Sequence, residues 1–82
     1  MSTLLNRFVR LVEAQQRIRE IHVHIQRQRQ LIHEFERKGG DIISAQIVLD
    51  SFLLSQMLLK RDATHIRKEI ESELGRPISL RL

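Results

Sequence analysis

From Thr3 to Lys38 the chain runs without a glycine or a proline, and it is built mostly of Leu, Ile, Arg, Gln and Glu, residues that form or tolerate helix. That run predicts a single long helix. Its apolar residues recur every seven positions. Leu4, Leu11, Ile18, Ile25 and Ile32 fall on one heptad line, and Arg7, Ala14, Ile21, Gln28 and Phe35 on the line three residues further on. Eight of these ten are apolar, so the helix carries a seam suited to a second helix. Gly39-Gly40 ends it, because glycine readily takes the left-handed conformation that closes a helix, and Arg37-Lys38 place positive charge at the negative end of the macrodipole.

Asp41 follows as an N-cap, and a second helix is expected from Ile42 to Leu74. Its seam lines are Ile42, Leu49, Gln56, Ala63 and Ile70, with Ala45, Phe52, Leu59, Ile66 and Glu73 beside them. Gly75 and then Pro77 stop the helix, and the tail Ile78-Ser79-Leu80-Arg81-Leu82 is expected to be extended and docked. The chain is therefore one all-α domain over 1–82, with helix 3–38, turn 39–41, helix 42–74 and tail 75–82. So short a connection makes the helices antiparallel, a coiled-coil-like αα-hairpin. If Phe35 faces Ile42 across the turn, facing residues have numbers adding to 77: Ile32 with Ala45, Ile25 with Phe52, Ile18 with Leu59, Ala14 with Ala63, Leu11 with Ile66. The same register predicts ion pairs Arg17–Asp62 and Arg10–Glu69 along one edge.

A two-helix hairpin has no enclosed centre, and only 16 of the 34 apolar residues sit on the seams. Ile43, Ile47, Leu54, Met57 and Leu58 make a second apolar face on helix two, flanked by Val48 and Leu53. Left in water, each such side chain forgoes roughly 1.5–3 kcal/mol. That face is the candidate interface. The expected solution is a two-fold dimer forming a four-helix bundle, with another protein chain as the other occupant of the same place.

The stretch Ile25-Gln26-Arg27-Gln28-Arg29, Ile32, Glu36-Arg37, Gly40-Asp41, Ala45, Leu49, Phe52 and Arg61-Asp62 resembles a family of short uncharacterised helical proteins of alphaproteobacteria. In that family's pattern an Arg-Gln-Arg helix end runs through Glu-Arg, a glycine and an aspartate into a helix with Ala, Leu-Leu and Phe. Here Gly39 is an additional glycine, and Val48-Leu49 stands for the paired leucines. The resemblance covers under half of the chain. It implies a helical hairpin and brings no activity, substrate or catalytic residue.

Eighty-two residues exclude a large multi-step enzyme, and the absence of cysteine excludes disulfides, a thiolate nucleophile and cysteine zinc sites. His22 and His24 point about 200° apart on a helix, whereas a helical chelate needs spacing of three or four; His33 and His65 have no helical partner. No metal or cofactor is expected. Glu34 with Glu36, and Glu69, Glu71 with Glu73, read as solvated faces, and no nucleophile motif or phosphate loop accompanies them. The reading is a non-enzymatic interaction module. The charge of +4 lies entirely within residues 1–40, where eight Lys and Arg oppose four Glu, which makes a small basic nucleic-acid-associated regulator the alternative. The opening turns Leu4, Leu5, Phe8, Val9, Leu11 and Val12 also resemble a membrane-surface segment, although Ile66, Ile70, Leu74, Ile78 and Leu80 need those same residues as cover. No spanning run of about 18 apolar residues and no export signal is read, so a cytoplasmic address is the default expectation.

Overall fold

The computed structural model describes residues 3–78. Helix α1 (Thr3–Lys38) is followed by helix α2 (Ile42–Leu74), which packs back along it as an αα-hairpin. At 1.5 Å per residue α1 spans about 54 Å, and the molecule measures 55 × 22 × 18 Å. One helix therefore sets the whole length.

The turn is made by two glycines with different duties. Gly39 has φ +80°, and its N–H donates to the Phe35 carbonyl at 2.7 Å, as the Gly40 N–H does at 3.0 Å. These bonds satisfy the end of α1. Gly40 is required by a close approach, since a Cβ there would stand 2.6 Å from Phe35 Cγ. Phe35 thus folds over Gly40 and packs on the apolar residues nearest the turn. Ile42, expected to cover Phe35, is 38% exposed instead. Asp41 caps α2 by accepting the Ser44 N–H at 3.0 Å, and Gly75, at φ +70°, closes its far end by donating to the Glu71 carbonyl at 2.8 Å.

Every buried residue among those described lies on the expected heptad lines: Leu11, Ala14, Ile25 and Ile32 from α1, and Ala45, Leu49, Ala63, Ile66 and Ile70 from α2. They form two clusters. One, far from the turn, joins Leu11, Ala14, Ala63, Ile66 and Ile70; the other, near the turn, joins Ile25, Ile32, Ala45 and Leu49. Half-buried Gln56 falls on the seam between them.

Three of the polar seam residues, Arg7, Gln28 and Glu73, have partners across the hairpin. Gln28 Nε2 donates to the Ala45 carbonyl at 2.8 Å, across the hairpin. Arg7 Nε lies 3.3 Å from Glu69 Oε2, and the same guanidinium also pairs with Glu73. The expected Arg10–Glu69 pair is therefore replaced: Arg7, half-buried on the seam line, reaches Glu69 from inside while Arg10 stands on the edge. Arg17 and Asp62 form no ion pair among the described residues. Pairs this exposed contribute roughly 0–1 kcal/mol, so they align the helices more than they stabilise them. Ile78 docks on the cluster far from the turn, and its N–H donates to Glu71 Oε2 at 2.9 Å. The rest of the expected tail, 79–82, lies outside the described residues.

Candidate interaction surface

α2 buries one side against α1 and presents an apolar side to solvent. Ile43 is 76% exposed, Ile47 61%, Leu54 54%, Met57 59% and Leu58 47%. Their heptad positions place all five opposite the seam, and the 1.5 Å rise stretches them over about 22 Å of helix. Of the expected flanking residues, Val48 is exposed, whereas Leu53 sits beside the seam and packs on the cluster near the turn. Leu53 thus belongs to the core edge and not to the outer face.

One charge interrupts the stripe. Asp50 stands at its middle, where its Oδ1 accepts from Gln46 Nε2 at 3.0 Å, and the neighbouring Ser51 hydroxyl donates to the Ile47 carbonyl at 3.0 Å. Past Leu58 the outer side turns polar, with Arg61, Thr64, His65 and Lys68 bordering one open depression. The apolar face therefore has a defined end.

α1 has a smaller counterpart. Leu4, Phe8 and Leu11 are drawn into the packing around Ile66, Ile70, Leu74 and Ile78, leaving Leu5, Val9 and Val12 exposed on the outer side. Half of the apolar residues in the opening turns thus serve the core. α2 is, by length and composition alone, long and apolar enough to cross a membrane. Gln46, Asp50 and Gln56 break its apolar half, which is why no uninterrupted apolar run is visible there.

Other chemistry is sparse among the described residues. His24 stacks on Phe52 with ring centroids 5.5 Å apart, and His65 Nε2 lies 2.8 Å from Glu69 Oε1. No three His, Cys, Asp or Glu side chains are grouped so as to hold a metal ion. The Asp41 carboxyl is held below its ordinary value of 3.8, first by the Ser44 hydroxyl and then by the Ser44 N–H, which is the electrostatics of a helix cap. Surface depressions are open to solvent; one on α1 is lined by Gln26, Arg29, Gln30, His33, Glu34 and Arg37, a mixture of basic, acidic and neutral side chains. Lys60, Arg61, Arg67 and Lys68 form no ion pair among the described residues. Phe8, Phe35 and Phe52 are all engaged with the two clusters, so no phenylalanine is left to stack on a base. Comparison with protein families, characterised proteins and solved structures finds no match.

Proposed function

We propose that this chain is a non-enzymatic self-association module, a helical hairpin that dimerises through the outer face of α2. The observation that carries the reading is the exposed apolar stripe from Ile43 to Leu58, broken only by Asp50 at its middle and lying opposite the intrachain seam. Five side chains per copy, on average about three-fifths exposed, contribute on the order of 9–18 kcal/mol gross when both copies bury them, at roughly 1.5–3 kcal/mol for each full burial. The freedom lost on association costs roughly 4–15 kcal/mol. The two ranges overlap, so burial of the stripe is of the size that pairing two small chains requires. In such a dimer the two α2 helices lie inside and the α1 helices outside, so the expected four-helix bundle takes a flattened form.

A lipid bilayer is the weaker occupant, because Asp50 in mid-stripe carries a penalty of roughly 2.5–3.5 kcal/mol at a hydrocarbon centre. A nucleic-acid role is the second reading, supported by four α2 cations, Lys60, Arg61, Arg67 and Lys68, that form no ion pair among the described residues. It lacks stacking aromatics and a one-sided basic face on α1. Ile47→Glu and Leu54→Glu test the first reading: each is expected to leave helicity unchanged by circular dichroism and to bring the mass in light scattering down to that of one chain. Variants that stay dimeric would place the interface elsewhere. A salt series with duplex DNA addresses the second reading, since counterion release makes such binding fall steeply with log salt.

A further inference from the structure

Resting on the nucleic-acid reading, we infer that residues 60–68 of α2 hold the phosphate backbone of a nucleic-acid duplex. Lys60 and Arg61 precede Thr64 by four and three residues, and Arg67 and Lys68 follow it by three and four. Those are the spacings at which side chains on one helix face are neighbours, so all four cations surround Thr64. The surface agrees. Thr64 borders both the groove lined by Lys60 and Arg67 and the depression lined by Arg61, His65 and Lys68. Lys60 to Arg67, and Arg61 to Lys68, each span about 10.5 Å along the axis. The centre of this frame is a small side chain, whose hydroxyl donates to the Lys60 carbonyl at 2.9 Å, and a phosphate can rest over it.

The nearby carboxylates are directed elsewhere. Glu69 is paired with Arg7 and His65, and Glu73 with Arg7. Asp62 points about 160° away from Thr64 around the helix, and Glu71, at the edge of the patch, accepts the Ile78 N–H at 2.9 Å. From α1 the groove beside Lys60 and Arg67 receives Leu11, Gln15 and Ile18, none of them charged. Positive charge concentrated in this way is the footprint of a polyanion. A duplex presents one negative charge for about every 1.7 Å of its axis, or about six over the length of the patch. A single strand would draw on stacking aromatics, and all three Phe are engaged in the hairpin. A lipid surface would draw on apolar side chains inserted beside the charge, whereas no exposed residue within 60–68 is apolar. Contacts to the backbone alone carry no sequence information.

The test is fluorescence anisotropy of two labelled duplexes of unrelated sequence and one single strand, read from about 50 to 200 mM salt, beside binding to vesicles containing phosphatidylserine. Four engaged phosphates give log K a slope of about −3.6 against log salt, so affinity should fall about 150-fold over that range, alike for both duplexes. Lys60→Gln combined with Lys68→Gln, its helicity checked by circular dichroism, should bring the slope to about −1.8. Arg10→Gln combined with Arg17→Gln, on the other edge of the hairpin, should leave it within about 0.3 of the parent. If the Lys60→Gln, Lys68→Gln chain keeps the parent's slope, the contact lies elsewhere and the inference is overturned while the nucleic-acid reading stands. A single strand bound more tightly than the duplexes overturns it as well. Absence of duplex binding by the parent at low salt removes both the inference and that reading, and vesicle binding without duplex binding assigns the patch to lipid headgroups instead.

Discussion

Ala14 and Ala63 are the smallest members of the buried cluster far from the turn, and enlarging them tests the packing from the inside. Ala14 is 2% exposed and is enclosed by Leu11, Ala63, Ile66 and Ile70. Ala14→Leu puts an isobutyl group where the site holds a methyl, and overpacking of this kind costs roughly 1–3 kcal/mol. For a domain of this size each kcal/mol moves the melting temperature by about 4–8 °C, so the central expectation is a fall of roughly 8–16 °C. Ala63 differs because it also borders an open groove with Ile18, Lys60 and Arg67, into which a longer side chain can extend. Ala63→Leu should therefore lose less than half as much. Val23→Leu, on the exposed side of α1, should stay within about 0.5 kcal/mol of the parent. The assay is a thermal melt at one fixed chain concentration, since self-association makes the midpoint concentration-dependent. An Ala14→Leu chain that melts at or above the parent, or an Ala63→Leu chain that falls further than Ala14→Leu, refutes this packing.

Two further outcomes follow from single side chains. Asp50→Leu should tighten association at least tenfold, by removing a carboxylate that loses water in the interface; weaker association would show that Asp50 makes an attractive contact there. Asp41 has a folded pKa below its ordinary 3.8, so its capping contribution is complete above the unfolded value and disappears as pH falls through the folded one. Asp41→Asn keeps a capping side chain that does not titrate, and the gap in melting temperature between parent and variant should close as pH drops below that ordinary value; a gap that widens with acid contradicts the sign.

The seam was legible because a seven-residue repeat fixes which residues face inward whatever their rotamers. All nine buried residues among those described are on it, and the glycines at 39 and 75 end the helices as their type requires. Side-chain reach was not legible. Heptad lines assign Arg7 to an apolar seam, but its length takes it to Glu69 and Glu73. Phe35 packs over the bare backbone of Gly40 rather than against Ile42, because the turn folds back under the ring. Gln28, an interruption on paper, proves to be a cross-helix donor. The outer face was legible as composition, since Ile43, Ile47, Leu54, Met57 and Leu58 all stand exposed where the spacing places them. Leu53 was misassigned because a residue next to the seam packs inward once the helices approach.

Sedimentation equilibrium of the unaltered chain across the micromolar range tests self-association through α2 most directly. The weight-average mass should climb from 9.7 kDa toward twice that value with rising concentration and level off there, while Leu54→Glu at the same concentrations stays at the single-chain mass. A flat 9.7 kDa for the unaltered chain throughout, or a Leu54→Glu chain that associates equally well, contradicts it.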